Sequence, residues 1–387
     1  MNSKKFSFSF FIIFISIQIA LLFISILLYI YDPFQFFHTP IFREKTFMGD
    51  MRVSAAGIID HYDFDSIIAG SSMLENTSIK EAEQIIGGKW VNFSFGGSRF
   101  EERFILLNYI LKNKKPIKKI IYGLDAYHLI TPHTNGMALK PELYDDSKII
   151  RFFTRFTYFM NMHFIICALK WENNNDCVGM NDLDKVTPWY PKNKQYFNGF
   201  NNWKEESKEE ALRALYIFKN TPPPPRNDEK RIIPLKKYIQ KYVFQFIKEN
   251  PQIEFHIIFQ PFSRAFYKIP TAKGYHKGRN GKQFYDDLKK MINWFLKESS
   301  RFKNVKIYGF DNLDYPNNLN NYSDGNHYNP EMNSLFLKAV KNNTNRLTLE
   351  NKQEYFQTME NEIKNYDISP LIQAIEKYEQ EKLSKKK

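Results

Sequence analysis

The chain has 387 residues, 43% hydrophobic and 17% aromatic, enough for one large domain or two small ones around a real core. Its net charge of +13 is mostly lysine spread along the sequence. Scattered charge, with no zinc-ligand spacing and no aromatic RNA-binding signature, argues against nucleic acid as a partner.

Residues 6–31 are almost wholly apolar, carry no charge and exceed the ~20 residues a helix needs to cross a bilayer. Lys4 and Lys5 precede them, which favours a cytoplasmic stretch at 1–5 and the rest of the chain outside the cytosol. A cleaved signal peptide is the alternative. The length of the run, and the bulky sequence after it without a small-x-small site, speak for an uncleaved anchor at 6–31. Asp32-Pro33 breaks that helix, and 32–63 reads as a juxtamembrane segment.

Residues 65–69 are predicted as a buried strand stopping at Gly70-Ser71-Ser72. Ser78-Ile79-Lys80-Glu81 is a capping box, opening a helix that ends by Gly87-Gly88. A second strand covers 91–95 and closes on Gly96-Gly97. Ser98-Arg99-Phe100-Glu101 is a second capping box before a helix with Phe104, Leu107, Ile110 and Leu111 on its apolar face. A third strand, 117–124, stops at Asp125. This alternation implies a parallel sheet covered by helices, with Ser71, Ser72, Gly96, Gly97 and Asp125 on one rim.

Residues 131–230 break the rhythm and are predicted as a mainly helical or irregular insertion, a lid or substrate-shaping cap. They hold an aromatic stretch at 152–164, expected mostly in the core, an Asn- and Trp-bearing polar segment, and a short polyproline spacer at 222–225. They also hold Cys167 and Cys177, whose spacing fits neither a zinc site nor a redox C-x-x-C, so no metal is expected. In an oxidising compartment the two can close a small loop around Trp171 and Asn173 if their Cα atoms lie close enough. Alternation then resumes over 231–345: a helix at 235–248, a strand at 254–259, a helix at 283–298 and a strand at 305–310. Pro330 suits the first residue of a further helix, and 346–387 is a charged helical tail.

The chemistry centres on two distant stretches. A Gly-Ser-Ser turn after a buried strand lifts a hydroxyl onto the sheet rim, and Asp324-Gly325-Asn326-His327 carries an acid and a histidine three apart. A serine nucleophile needs a base, and the base needs an orienting acid. Backbone N–H groups at Ser72 and Gly97 are suitable oxyanion donors, since glycine admits close approach. Each stretch alone also fits a plain turn or a solvated loop. His256, inside an apolar strand, reads as a core histidine. His128 and His133 follow the third strand and are weaker substrate-contact candidates, and Arg99, at a helix start near the rim, fits either an anion contact or, more simply, an exposed residue.

In this order the blocks resemble the SGNH/GDSL hydrolase superfamily. Gly70-Ser71-Ser72-Met73 resembles its first block, with Ser72 as nucleophile and Ser71 at the usual Asp position. Residues 92–97, ending in Gly96-Gly97, resemble its second block. Asp324-Gly325-Asn326-His327 resembles its last. Its third block, normally Gly-x-Asn-Asp, reads Gly123-Leu124-Asp125, which puts Asp125 at an oxyanion-donor position. The Gly-Ser-Ser variant behind one N-terminal anchor is similar to the branch that includes the teichoic-acid D-alanine transfer protein and the alginate O-acetylation proteins. The resemblance implies an α/β fold, a three-layer α/β/α domain built from 64–130 and 231–345. It implies a serine-dependent O-acyltransferase or esterase acting on a cell-envelope polysaccharide, with a membrane-bound O-acyltransferase as possible partner and no cofactor. A non-catalytic envelope scaffold is the rival expectation. A secreted lipase fits the uncleaved anchor poorly.

Overall fold

The computed structural model describes residues 3–113, 116–130, 138–220, 228–269 and 281–385. The chain divides into two compact units. One comprises Met1–Asp63, Asn108–Lys114 and Met137–Thr187. The other comprises Phe64–Leu107, Lys115–Gly136 and Pro188–Lys387. The expected insertion is therefore not one body, because 137–187 joins the N-terminal segment and 188 onward joins the sheet. The polyproline spacer at 222–225 and His133 lie outside the described residues.

The first unit opens with helix Ser3–Tyr31. Its Phe8–Tyr31 portion, 24 residues, is long and apolar enough to cross a membrane, rising about 36 Å. Side chains at 8–23 are exposed, whereas Leu28 and Tyr31 are buried in the unit. Asp32 turns the chain: its carboxylate accepts the backbone N–H groups of Phe36 (3.0 Å) and Phe37 (2.8 Å). Gly57, in helix Met51–His61, lets the returning backbone pass, since a Cβ there would stand 2.2 Å from the Phe34 carbonyl oxygen. Arg155 on helix Lys148–Phe159 is buried and held by Asp60 (2.6 Å) and the Tyr109 hydroxyl (2.9 Å). Cys167 and Cys177 form a disulfide with Cα atoms 5.7 Å apart. The aromatic stretch is less internal than expected: Phe159 and Phe164 are buried, but Phe152 and Phe153 are exposed.

The second unit is built on a five-stranded parallel sheet. Strands β1 (Ser66–Ala69), β2 (Trp90–Asn92), β3 (Lys119–Leu124), β4 (Glu254–Phe259) and β5 (Val305–Gly309) lie in the order β2-β1-β3-β4-β5. β1 is buried along its whole length, and Ile67 pairs in register with both Val91 and Ile120. Central parallel strands read as unbroken apolar runs because both faces are covered. Helix Ile79–Ile86 starts as the capping box predicts: Ser78 Oγ accepts the Glu81 N–H (3.1 Å), and Gly87 ends it at φ +82°. Helix Phe100–Lys112 starts differently from its predicted Ser98–Glu101 box. Glu102 Oε2 accepts the Arg99 N–H (2.9 Å), while Ser98 Oγ turns inward to the Gly70 carbonyl (2.6 Å). A buried carbonyl beyond a strand end needs a donor, and that need takes the serine away from the cap.

The predicted helix at 235–248 is divided among helix Asp228–Ile239, a π turn Gln240–Phe244 and helix Gln245–Glu249. His256 is a core histidine: Nδ1 meets the Tyr308 hydroxyl (3.2 Å), and burial pushes its pKa down to about 4. The tail belongs to the core. Leu371 and Ile375 of helix Ser369–Ser384 bury against Phe200, Trp203 and Ala211.

Candidate active site

The chain leaves β1 through Gly70, where a Cβ would stand 2.8–2.9 Å from Leu74 side-chain atoms, so the turn closes more tightly than another residue would allow. The two serines that follow have different surroundings. Ser71 is buried and N-caps the short helix Ser72–Glu75; its Oγ donates to Asp125 Oδ2 (2.8 Å) and accepts from the Met73 N–H (3.4 Å). Ser72 is half-buried, and its Oγ lies 2.8 Å from His327 Nε2. The turn is fixed from below. The Tyr328 hydroxyl (2.7 Å) and Asn333 Nδ2 (3.0 Å) donate to the Met73 carbonyl, and Asn92 Nδ2 donates to those of Leu74 (2.9 Å) and Thr77 (3.0 Å).

The histidine arrives on the loop after β5. Asp324 Oδ1 accepts the N–H groups of Asn326 (2.9 Å) and His327 (2.7 Å), which leaves Oδ2 facing His327 Nδ1 at 2.7 Å. The three-residue spacing makes one carboxylate both the organiser of the turn and the partner of the ring. Ser263, just beyond β4, anchors the loop with two bonds to the Gly325 carbonyl, from its N–H (3.1 Å) and its Oγ (2.7 Å). The Asp324 contact assigns the proton to Nδ1 and leaves Nε2 an acceptor for the Ser72 hydroxyl. Burial alone would lower the imidazole pKa, but the Asp324 charge and hydrogen bond outweigh it and hold it above the ordinary histidine value. Burial would raise the Asp324 pKa; the facing His327 and the two backbone N–H groups bring it below the usual range.

Asp125, at the end of β3, departs from its expected place in the oxyanion set. Its carboxylate is the acceptor for Ser71 Oγ, for the His128 N–H (3.0 Å) and for His128 Nδ1 (2.5 Å). Burial opposes its ionisation, but His128 and the Arg103 guanidinium hold it well below the carboxylate range. An ionised acceptor has no proton for an oxyanion, which removes Asp125 from that set. His128 is buried in this network and so is no substrate contact. Arg99 is neither the exposed residue expected nor an open anion receptor, because it is half-buried and its guanidinium pairs with Glu101 at 3.2 Å.

Gly96 and Gly97 lie exposed on the turn after β2, with Gly97 at φ +63°. That turn is tied to the nucleophile turn through the Gly70 carbonyl, which accepts from the Phe95 N–H (3.2 Å) and Ser98 Oγ (2.6 Å). Fully buried Arg103 completes the tie, binding Ser98 Oγ (2.8 Å) and the Gly123 carbonyl at the end of β3 (2.7 Å).

Ser72, Asp324 and His327 open into a cleft of roughly 270 Å³ whose other walls are Glu75, Trp189, Asn193, Lys204, Ser207 and Ser323. Sequence reasoning missed these wall residues, and it missed Arg103. Trp189 touches two members of the triad. Its Nε1 donates to the Ser72 carbonyl (2.8 Å), and its ring meets that of His327 edge-on at 5.5 Å. The only signal for it was a polar, Trp-bearing segment within an expected cap. Nothing local marks a tryptophan that reaches a serine 117 positions away.

No family model matches the sequence, and no curated protein matches it at a meaningful level. A solved structure described as a candidate platelet activating factor from Streptococcus pneumonia is similar at a TM-score of 0.37 with 10% identity, over 76% of this chain and 90% of that one. A likeness at that level carries no argument about fold family or activity.

Proposed function

We propose that this chain is a serine-dependent acyl-ester enzyme of the SGNH/GDSL kind, an O-acyltransferase or esterase. Its anchor would be helix Ser3–Tyr31, its substrate a cell-envelope polysaccharide outside the cytosol, and its possible partner a membrane-bound O-acyltransferase. One observation carries the reading: Ser72 Oγ to His327 Nε2 at 2.8 Å, continued by His327 Nδ1 to Asp324 Oδ2 at 2.7 Å. The strand order supports the fold half of it. The order reverses at β1, and right-handed crossovers from a reversal point put helices on opposite faces of a sheet, giving three layers.

Ser72 Oγ attacks the acyl carbonyl while His327 Nε2 takes its proton. Asp324 holds the ring and favours the imidazolium that forms. The same proton passes to the leaving oxygen as the tetrahedral adduct collapses to an acyl-serine. Water then gives hydrolysis, and a sugar hydroxyl gives transfer, with His327 again as base. Backbone N–H groups of Ser72 and of the Gly96-Gly97 turn are the proposed oxyanion donors. The ionised Asp125 favours a second reading, a scaffold that keeps the fold without the reaction, because it removes a side-chain donor from the rim.

The test is fluorophosphonate labelling of the full chain in detergent, with the adduct located by mass spectrometry. The expected result is an adduct on Ser72 that is lost in His327→Ala. Folded protein that takes no label, or labels equally in that variant, supports the scaffold.

A further inference from the structure

Outside the candidate active site, the first unit carries a second unusual surface. Helix Lys148–Phe159 is amphipathic in the reverse sense. Its inward face carries Arg155, a buried cation paired with Asp60, together with Phe159. Its outward face carries Ile149, Phe152 and Phe153, and half-buried Phe156 continues the i, i+3, i+4, i+7 spacing of one helical stripe. Ile149 is 71% exposed and Phe153 61%. The next helix, Met162–Lys170, repeats the pattern: Phe164, Cys167 and Ala168 turn inward, while Met162, Ile166 and Leu169 turn outward. Exposed apolar stripes on two successive helices mark an interaction site.

What covers it follows from what it is attached to. Helix Met162–Lys170 packs on the apolar helix Ser3–Tyr31, and helix Lys148–Phe159 is linked to it through Phe37. Phe37 stacks on Tyr29 of that helix (5.2 Å) and packs on Phe152 (5.1 Å). Trp171, which caps helix Met162–Lys170, meets Tyr31 edge-on (5.6 Å), and the Tyr31 hydroxyl donates to the Glu172 carbonyl (2.5 Å). Tyr29, exposed near the end of the apolar helix, is of the residue type that prefers the headgroup level. Charge agrees. Between Asp146 and Glu172 there is no acidic residue, whereas Lys148, Arg151 and Lys170 fall there in addition to the buried Arg155. A cationic, acid-free pair of helices with outward aromatics fits the surface of a bilayer containing anionic lipid.

We infer that the outward faces of helices Lys148–Phe159 and Met162–Lys170 rest in the acyl–headgroup boundary of a lipid bilayer, beside the helix Ser3–Tyr31. The apolar helix crosses that bilayer and the pair lies in its surface, so the first unit is a membrane-seated platform. The inference does not depend on the serine chemistry; it rests on the apolar helix spanning the membrane.

Because Cys167 and Cys177 are bonded to each other, one added cysteine can carry a nitroxide selectively. Full-length chain labelled singly at 19, 142, 153 or 162 is reconstituted into vesicles of phosphatidylcholine and phosphatidylglycerol. Accessibility to oxygen, which concentrates in the acyl region, is compared with that to a water-soluble nickel chelate. All four positions are exposed in the structure, so none disturbs the core. The expected result is an oxygen-to-nickel ratio several-fold higher at 153 and 162 than at 142, approaching that at 19. A high ratio at 19 with water-like ratios at 153 and 162 overturns the platform and leaves the anchor. Water-like ratios at all four overturn both. Shielding of 153 and 162 from both reagents overturns the lipid assignment in favour of a second copy or another protein on this face. None of these outcomes bears on labelling at Ser72.

Discussion

His327 sets the expected pH response of the site. Its imidazole must be neutral to accept the Ser72 proton, and Asp324 holds its pKa above the ordinary 6.5. The kcat/KM for a small ester should therefore fall as pH drops through a midpoint above 6.5, and reach its plateau on the alkaline side. Asp324→Asn removes the charge that raises this pKa and also the partner that fixes the tautomer. The midpoint should move down, and kcat should fall by about 10⁴-fold, as loss of the orienting acid does in other serine triads. A pH–rate profile of both proteins checks the shift and the loss together. At Trp189 the expectation is smaller. Trp189→Phe keeps an aromatic ring against His327 but deletes the donor to the Ser72 carbonyl, a neutral hydrogen bond worth about 1 kcal/mol. The labelling rate at Ser72 should drop by roughly tenfold or less, with little change in thermal stability.

At the scale of elements, the turn after β4 joins the active-site loop to a buried charge cluster. Ser263 grips Gly325, and the next residue, Arg264, is fully buried. Its guanidinium bonds to Asn317 Oδ1 (3.0 Å) and the Leu313 carbonyl (3.0 Å), and Nη1 lies 4.0 Å from Asp311 Oδ1. Burial raises the Asp311 pKa to about 6 in spite of Arg264 and the Tyr267 hydroxyl (2.8 Å). A folded-state pKa above the unfolded 3.8 means that the native state holds this proton more tightly. The contribution is full below 3.8 and is lost as pH rises through about 6. Urea midpoints should decline over that window by an amount equivalent to about 3 kcal/mol, and Asp311→Asn should flatten the decline. Arg264→Ala leaves Asp311 without its cation and should cost about 3–5 kcal/mol, with the Ser72 labelling rate falling as the Gly325 anchor loosens.

At the scale of the whole molecule, the two units predict separable behaviour. The disulfide lies wholly in the first unit and closes a short loop, so breaking it should cost about 2–3 kcal/mol there. Mild reduction, followed by thermal unfolding, should lower the transition of the first unit. Fluorophosphonate labelling of Ser72, in the second unit, should persist. Concurrent loss of both would mean that the units unfold as one.

The local chemistry of the chain sufficed for its apolar span and for most elements of the sheet unit, but not for helix Met51–His61 inside the expected juxtamembrane segment. Buried strands at 66–69, 119–124 and 254–259 are mainly apolar runs that each open on a polar residue, Ser78 and Pro330 mark helix starts by their own hydrogen-bonding character, and 8–31 has no charge to keep it out of lipid. The spacing of Asp324 and His327 was legible for the same reason, since a three-residue turn is a local object. Tertiary structure alone decided the rest. Ser71 and Ser72 are chemically alike in sequence and differ only because one meets Asp125 and the other His327. Asp125 changes from expected donor to ionised acceptor because Arg103 and His128 converge on it. Ser98 abandons a cap for a buried carbonyl, Trp189 reaches the cleft, and Phe152 and Phe153 face outward while Arg155 is buried. Each of these depends on partners distant in sequence, and local propensity carries no record of which polar groups burial will leave in need of one another.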